Sequence, residues 1–228
     1  MRRALPVLAV VASALAVGLP GALGGNRATP GVTDRLITIG GTFPLSGPAS
    51  SYAPIARGMA AYFSYINARR GPDKKRGVMG RQIRFIYYDA YNPVQTVQQT
   101  RRLIEQDKVF ALVDGLGTEP QLAVREYLNA KKVPQVFVST GATLWGAEHA
   151  KYPWTIGWQP DYQAEAAVYG KRIAATDRNA KIAVLYQNDD YQNDDYGRDY
   201  IAGLEAGLRA KKSQIVATRG FNVNDPAV

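Results

Sequence analysis

Residues 36–48 have the sequence LITIGGTFPLSGP, a run of β-branched and apolar residues that leads into a loop rich in proline and glycine. The run predicts a strand that ends at Phe43, and the turn-forming residues after it predict a loop. Beyond the loop, apolar side chains recur at helical spacing and predict a helix with one buried face. The predicted face consists of Ile55, Met59, Tyr62, Phe63 and Ile66. Strand, loop and amphipathic helix in this order form the first unit of an α/β fold.

The same unit recurs along the chain. Further strands are predicted at residues 82–89, 109–114 and 134–139, and from residue 181 onward. Asn92-Pro93 predicts a helix start, because Asn is a good N-cap residue and Pro suits the first helical position. Thr118 and Gln121 have the spacing of a capping box, which predicts another helix start. The alternation predicts an α/β fold in which a parallel sheet carries helices on both faces.

A change of rhythm near residue 152 divides the chain. Residues 152–160 have the sequence YPWTIGWQP, an extended segment between prolines, and a new series of strands and helices begins beyond it. We therefore expect two α/β units, at residues 25–151 and 161–228, joined by a crossover at 152–160. YQNDD occurs twice in tandem at residues 186–195. A loop can accommodate this duplication, because loop-closure entropy grows slowly with length.

Residues 1–24 have the pattern of an export signal. An arginine pair precedes an apolar run, which closes with Ala22-Leu23-Gly24. We predict a signal peptide cleaved after Gly24, and hence a periplasmic or secreted protein. An uncleaved membrane anchor is the alternative, since the run is nearly long enough to span a bilayer, although prolines interrupt it. The arginine pair leaves the twin-arginine export route open.

The composition excludes several classes of function. The chain has no cysteine and a single histidine, His149, so thiolate and multi-histidine metal sites and cysteine nucleophiles are excluded. No serine elbow accompanies His149, and no phosphate-binding glycine motif occurs, so we expect no enzyme, no cofactor and no metal. A secreted hydrolase would need His149 in a cleft. The 28 Lys and Arg residues exceed the 19 Asp and Glu residues, but no nucleic-acid-binding motif accompanies them.

Three loops that follow predicted strands are candidates for ligand binding. They are residues 46–52, 115–118 and 139–143, which are rich in hydroxyl groups, glycine and tyrosine. In a parallel sheet such loops lie at one edge, beside helix N-termini with free amides. Neutral donors there suit the carboxylate of a small molecule better than a phosphorylated nucleotide. The alternative for any one loop is a simple turn or helix cap.

Several short motifs that occur in a fixed order give more specific evidence than the alternation of strands and helices alone. They are IGGTFPLSGP at 39–48, YYD at 87–89 with Asn92-Pro93, LIEQDKV at 103–109, Pro134-Gln135, DYQ at 161–163 and DYGRDY at 195–200. Together they resemble the Leu/Ile/Val-binding-protein-like family of periplasmic solute-binding proteins that serve ABC transporters. The resemblance implies a two-lobed fold that closes over a ligand, with an N-terminal ligand-binding lobe at residues 25–151, a hinge crossover at 152–160 and a partial second lobe at 161–228. Members of that family continue well past the length of this sequence, so we expect a C-terminally truncated chain with an incomplete second lobe.

The resemblance also implies roles for particular residues. Thr118, Gly141 and Thr143 would hold the carboxylate of the ligand. Tyr196 would cover the ligand, with Tyr191 as an alternative because of the duplication. With the three loops included, the predicted ligand-binding residues are Ser46, Tyr52, Gly117, Thr118, Ser139, Gly141, Ala142, Thr143 and Tyr196.

The export signal, the loops and the resemblance predict an extracytoplasmic solute-binding protein of an ABC importer. Its ligand would be an amino acid, branched-chain amino acids included, or a similar small carboxylate or amide. The protein would deliver this ligand to a membrane permease without catalysis. The ligand-binding sensory domain of a receptor is the alternative, because one fold can serve both functions.

Overall fold

A computed structural model describes residues 29–177, 179–188, 195–222 and residue 225. The strands are β1 (Leu36–Phe43), β2 (Gln82–Asp89), β3 (Ala111–Val113), β4 (Gln135–Val138), β5 (Thr155–Gly157), β6 (Ile182–Gln187) and β7 (Ile215–Phe221). The α-helices are α1 (Pro54–Ala68), α2 (Pro93–Glu105), α3 (Thr118–Lys131), α4 (Leu144–Ala147), α5 (Tyr162–Thr176) and α6 (Asp195–Leu208). Strands and helices alternate along the chain, which confirms the predicted α/β class.

The first five strands form one parallel sheet, called here the first sheet, in the order β2-β1-β3-β4-β5. Helix α1 lies on one face of this sheet, where Phe63 packs edge-on against Phe85 of β2. Helices α2 and α3 pack together on the opposite face. The strand order reverses between β1 and β3, and ligands of open α/β sheets bind beyond the carboxyl ends of the strands at such a point.

The main core lies between the first sheet and helices α2 and α3. Its fully buried members are Leu103, Val109, Leu112, Val124 and Leu128. Gly40 of β1 lets Leu103 come close to the sheet, because a Cβ at Gly40 would lie 2.9 Å from a Leu103 methyl group. The core therefore fixes α3, and with it the loop that precedes α3, against the carboxyl ends of the strands.

The predicted start of α2 is confirmed. The side chain of Asn92 accepts a hydrogen bond from the amide of Gln95 (2.9 Å), and Pro93 is the first helical residue. This cap satisfies one of the amides that the first helical turn leaves without a partner.

The capping box predicted at the start of α3 is wrong. The helix begins at Thr118 without a side-chain cap hydrogen bond. The Thr118 hydroxyl pairs with the Thr140 hydroxyl, while the Gln121 side chain donates to Thr42 Oγ1 over 3.1 Å. Gly117 precedes the helix with a φ of 97°, a left-handed value that favours glycine. Tertiary contacts have replaced the local cap.

The buried face predicted for α1 is only partly correct. Ile55, Met59, Phe63 and Ile66 are half-buried, and Ala56 is the buried residue of this helix. Tyr62 is 60% exposed and contacts its neighbours Phe63 and Tyr65. The face that packs on the sheet is therefore narrower than the pattern of apolar residues predicts.

Strands β6 and β7 form a separate parallel pair, called here the second sheet. Helices α5 and α6 pack closely against each other beside it. Glycines make this approach possible, because a Cβ at Gly203 of α6 would lie 2.2 Å from the backbone oxygen of Gln163 in α5. Asp161 caps α5 by accepting a hydrogen bond from the amide of Ala164 (2.9 Å).

Several predictions concern parts of the chain that the structure does not test. The signal peptide at residues 1–24 lies outside the described residues, and so do positions 189–194 of the tandem duplication, including Tyr191. The division into lobes at 25–151 and 161–228 stays a prediction. The predicted crossover, residues 152–160, contains β5, which is an edge strand of the first sheet. Within the described part of the chain, no helix has the length and apolar character needed to cross a membrane.

Candidate functional site

A cleft of about 580 Å³ opens between the carboxyl ends of the first sheet and the side of α5, α6 and the second sheet. One wall consists of Pro48, Ala49, Ser51, Tyr52, Tyr91, Leu116, Gly117, Thr118, Glu119, Pro120, Ser139, Thr140 and Gln159. The opposite wall consists of Tyr162, Glu165, Gln187, Tyr196, Tyr200 and Phe221. The volume of the cleft is in the range of small-molecule sites.

A pair of buried threonines marks the first wall. Thr118 begins α3 and Thr140 lies in the loop after β4, and their hydroxyl oxygens are hydrogen-bonded to each other. Both residues line the cleft although they are almost fully buried. One hydroxyl of such a pair donates to the other and leaves that one able to donate onward. Together with the first amides of α3, which have no partner inside the helix, the pair suits an anionic oxygen.

A chain of buried polar side chains lies beneath this wall. Gln121 donates to Thr42 Oγ1 over 3.1 Å and accepts from Gln135 Nε2 over 3.2 Å. Gln135 in turn accepts from Thr155 Oγ1 over 3.1 Å, and Asn129 donates to that same Thr155 oxygen over 2.8 Å. These bonds join α3 to β1, β4 and β5. They fix the start of α3 relative to the strand ends that form the cleft.

Three tyrosine rings dominate the second wall. The ring centroids of Tyr162 and Tyr196 are 5.0 Å apart, those of Tyr162 and Tyr200 are 5.0 Å apart, and those of Tyr196 and Tyr200 are 5.6 Å apart. Aromatic pairs at these separations are within the favourable range. Here the set is called the tyrosine cluster. It combines α5 and α6 in one surface that faces the cleft.

Glu165 lies beside the tyrosine cluster. Its Oε2 accepts a hydrogen bond from the Tyr200 hydroxyl over 2.8 Å, and its Oε1 accepts one from the Tyr169 hydroxyl. Burial raises the pKa of the Tyr200 hydroxyl above its ordinary value, and the hydrogen bond to the Glu165 carboxylate raises it further. Tyr200 therefore stays protonated and remains a donor to Glu165 at neutral pH.

The charges of the cleft differ from those of the chain as a whole. The chain has a formal net charge of +9, yet the charged residues among the described lining residues are Glu119 and Glu165, and none of these lining residues is Lys, Arg or His. The cleft therefore combines acidic side chains with hydroxyl groups and aromatic rings.

Of the nine predicted ligand-binding residues, the structure places five on the cleft. They are Tyr52, Gly117, Thr118, Ser139 and Tyr196. Sequence reasoning missed Thr140, Glu165 and Tyr200. Thr140 lies within a predicted loop, and its hydroxyl group could have indicated a ligand-binding residue. Glu165 and Tyr200 lie on helices, where only the pairing of α5 with α6 brings them to the cleft.

The other four predicted residues do not line the cleft. The Ser46 hydroxyl donates to Asp89, whose carboxylate also accepts from the Ser46 amide over 3.2 Å. Gly141 packs beneath Tyr162 and accepts a hydrogen bond from its amide over 2.8 Å. Ala142 lies in a small core with Val138 and Trp145. The ligand-binding role of all nine residues stays a prediction.

Thr143, the last of these four, forms a link between the two sides of the cleft. Its amide donates to Asp199 Oδ2 over 2.7 Å. Asp199 belongs to α6, is 6% exposed and accepts from Gln163 Nε2 over 2.7 Å through its other oxygen. The carboxylate of Asp199 therefore occupies the backbone amide of a residue that the resemblance assigned to the ligand. It also ties the loop after β4 to α5 and α6.

Among the described residues, His149 does not line the cleft. His149 is exposed, and its Nδ1 lies 2.8 Å from the carbonyl oxygen of Gly146 in its own turn, away from the lining residues. Among the residues that the structure describes, no group of His, Asp and Glu side chains could hold a metal ion.

Comparison with known proteins places this architecture in a family. A family model described as "Periplasmic binding protein" matches residues 36–227. A substrate-binding periplasmic protein from Ralstonia solanacearum is 26% identical, with a TM-score of 0.70 over 83% of this chain and 50% of that chain. No curated protein matches the chain.

Two further solved structures share the fold. A possible leucine/isoleucine/valine-binding protein from Rhodopirellula baltica SH 1 is 23% identical, with a TM-score of 0.67 over 86% of this chain and 50% of that chain. The solute-binding protein of an ABC transporter from Rhodopseudomonas palustris BisB5, in complex with 3,4-dihydroxybenzoic acid, is 22% identical, with a TM-score of 0.64 over 82% of this chain and 47% of that chain. The chain thus spans about half the length of the solved structures it matches.

Proposed function

The chain belongs to the periplasmic binding protein family, and from that premise we propose that it is the solute-binding component of an ABC importer. We propose an amino acid or a similar small carboxylate as its ligand, bound without catalysis. Proteins of this family are solute-binding proteins without catalytic activity. Their location is extracytoplasmic, which agrees with the export signal predicted at residues 1–24.

The threonine pair at the start of α3 carries this proposal. Thr118 and Thr140 supply hydroxyl groups at the wall of the cleft, and the first amides of α3 add partial positive charge beside them. A carboxylate there would accept hydrogen bonds from neutral donors without a cationic side chain. The buried chain from Thr42 to Asn129 keeps these donors in place, so little ordering is needed when a ligand binds.

Delivery of the ligand to a membrane permease belongs to the same proposal. The solved neighbour from Rhodopseudomonas palustris is the solute-binding protein of an ABC transporter, and the neighbour from Rhodopirellula baltica is described as a possible leucine/isoleucine/valine-binding protein. These descriptions support an importer as the partner of the chain and a small carboxylate as its ligand. We propose a permease of the branched-chain amino-acid type as the partner.

A thermal-unfolding screen of the full chain tests the proposal. The screen contains branched-chain amino acids, their amides, benzoate and 3,4-dihydroxybenzoate, and isothermal titration calorimetry follows each hit. A specific ligand at a hundredfold excess over its Kd should stabilise the fold by about 2.7 kcal/mol, which raises Tm by roughly 5–10 °C. If no compound raises Tm or produces heat, the proposal is wrong.

Thr118→Val locates the binding site in the same experiment. The substitution removes the hydroxyl and keeps the shape of the side chain, so a carboxylate ligand should bind about tenfold more weakly. Thr176→Val is the matched control, because Thr176 lies at the exposed end of α5 and donates to the backbone of its own helix. Equal affinities of the two variants would show that Thr118 is not part of the binding site.

A further inference from the structure

We infer that the loop between α1 and β2 binds an anionic lipid surface. The loop, residues 69–81, has the sequence RRGPDKKRGVMGR, which contains six cationic residues and one acidic residue, Asp73. The six cationic residues are called here the basic patch: Arg69, Arg70, Lys74, Lys75, Arg76 and Arg81. The inference concerns a surface outside the cleft, so it does not depend on which ligand the cleft binds.

The basic patch lies at the opposite edge of the first sheet from the cleft. Helix α1 ends at Ala68, and β2 begins at Gln82, which pairs with Leu36 at the start of β1. The loop therefore lies at the amino ends of the strands, whereas the cleft lies at their carboxyl ends. The 8 residues of β2 span roughly 25 Å between these two edges. A surface that binds the loop therefore leaves the cleft accessible.

The charge of the basic patch is the first observation behind the inference. Within the described part of the chain, its cations form no ion pair, and five of the six are exposed. Arg70 and Arg76 oppose each other in an isolated antiparallel bridge, where like charges are destabilising. An oxygen of the Asp73 carboxylate accepts a hydrogen bond from the backbone amide of Lys75 over 3.0 Å. The mutual repulsion of these cations is relieved when an anionic partner binds them.

An exposed apolar tip is the second observation. Val78 is 40% exposed and Met79 is 74% exposed. The amides of Val78 and Arg81 each donate to the other residue's carbonyl oxygen, over 2.8 Å and 3.0 Å, and close a tight turn at Met79 and Gly80. The φ of Met79 is 52°, a left-handed value that favours Gly, Asn or Asp over methionine. Turn geometry and packing therefore do not explain an apolar side chain at this position, whereas insertion among lipid headgroups does.

The exposed side of α1 continues this surface. The rings of Tyr62 and Tyr65 lie 6.4 Å apart, and both residues are more than half exposed. Arg69 donates to the Tyr65 hydroxyl over 3.0 Å, which joins the tyrosines to the basic patch. The amide of Gly77 donates to the carbonyl oxygen of Ile66 and holds the loop against the end of α1. Tyrosine is enriched where a membrane meets water, so all parts of this surface suit a headgroup layer.

A lipid surface fits these observations better than a nucleic acid does. Both partners present phosphates that Lys and Arg bind. A bilayer also offers an apolar layer beneath its phosphates, which suits the side chain of Met79. Proteins of this family are extracytoplasmic, and in that location the membrane presents anionic headgroups. The chain's formal net charge of +9 adds attraction at longer range.

Co-sedimentation of the full chain with lipid vesicles tests the inference. Vesicles of phosphatidylglycerol and phosphatidylcholine in equal parts are compared with vesicles of phosphatidylcholine alone. The chain should bind the anionic vesicles at least about tenfold more tightly, and high salt should reduce the difference. The double substitution Lys74→Gln and Lys75→Gln should weaken binding to the anionic vesicles about tenfold or more.

Lys171→Gln combined with Arg172→Gln is the matched control for that double substitution. Both residues are exposed on α5, so the two double variants have the same net charge and differ in where the charge is lost. Both variants retain residues 1–24, so a contribution of that apolar segment to vesicle binding cancels. The control should bind the anionic vesicles within about twofold of the unmodified chain.

A fluorescent label at the tip tests insertion into the bilayer. The chain has no cysteine, so Met79→Cys can be labelled at a single position with an environment-sensitive fluorophore. Its emission should shift to the blue with anionic vesicles and stay unchanged with duplex DNA, because only the bilayer has an apolar layer. Glu205→Cys, at an exposed residue of α6, is the labelled control and should show no shift with either partner.

Three results would overturn the inference. Equal affinities of the two double variants for anionic vesicles would show that the basic patch does not bind them. An unchanged emission spectrum of labelled Met79→Cys would show that the tip does not enter the bilayer. Tighter binding to duplex DNA than to anionic vesicles would assign the basic patch to nucleic acid. Circular dichroism of each variant checks that the fold persists.

Discussion

The environment of Tyr200 differs strongly from that of a free side chain. Burial, and then the hydrogen bond to Glu165, raise the pKa of its hydroxyl above the ordinary value of about 10. The folded chain therefore holds this proton more tightly than the unfolded chain does. The resulting stabilisation is fully present below pH 10 and is lost as the pH rises above 10 toward the folded pKa.

This difference predicts the effect of alkaline pH on stability. Between pH 9 and pH 11, the free energy of unfolding should fall more steeply in the unmodified chain than in Tyr200→Phe, as urea denaturation at each pH would measure. Tyr62→Phe, at a residue that is 60% exposed, should retain the steep fall. Identical slopes for all three chains would contradict the environment described for Tyr200.

Individual site residues were only partly predictable from the sequence. Thr118 was predicted from its position after a strand, and Tyr196 was predicted from the DYGRDY motif at residues 195–200. Thr140 was missed although its neighbours Ser139 and Gly141 were named. An irregular loop has no periodicity to indicate which of its side chains faces a ligand, so the choice among adjacent positions depends on tertiary contacts such as that of Thr118 with Thr140.

At the level of elements, the close contact of α5 with α6 depends on glycine. A Cβ at Gly203 would lie 2.2 Å from the backbone oxygen of Gln163, which cannot move without shifting its helix. We expect Gly203→Ala to lower the free energy of unfolding by about 1–3 kcal/mol, through overpacking. Urea denaturation followed by circular dichroism would measure the change.

Gly58 of α1 provides the matched control for that substitution. Nothing lies within 4 Å of a Cβ at this position, and the residue is exposed in the middle of its helix. Gly58→Ala should therefore stabilise the protein by about 0.5–1 kcal/mol, because Ala favours the helix. If Gly203→Ala stabilises the chain to the same degree, the packing of α5 against α6 is not as described.

Elements with clear boundary signals were predicted well. The bounds of β1 and β2 agree with the prediction, and Asn92-Pro93 marked the start of α2. The strand β5 was not distinguished within the predicted crossover, because its three residues are too few to establish a period. Tyr62 was assigned to a buried face that the sheet does not fully cover, which local periodicity cannot reveal.

For the whole molecule, Asp199 is a link between the two sides of the cleft. Its buried carboxylate accepts from the Thr143 amide and from Gln163, and Asp199→Ala would leave both donors without their partner. We expect a loss of about 2–3 kcal/mol in the free energy of unfolding. The exposed Glu205→Ala on the same helix should change it by less than about 0.5 kcal/mol.

Asp199→Ala should also cause the two sides of the cleft to unfold at different urea concentrations. The three tryptophans lie between residues 145 and 158, so their fluorescence reports on the side of the first sheet, whereas circular dichroism reports on the whole chain. In the unmodified chain the two urea transitions should coincide, and in Asp199→Ala they should come apart. Coincident transitions in both chains would show that Asp199 does not couple the two sides.

We propose that the threonine pair holds the carboxylate of the ligand. Amide chemical shifts of a chain labelled with ¹⁵N-threonine, titrated with the tighter of L-leucine and L-phenylalanine, test it most directly. We expect saturable shifts of Thr118 and Thr140 with the Kd found by calorimetry, and no shift of Thr176. Calorimetric binding that leaves the amides of Thr118 and Thr140 unmoved would contradict it.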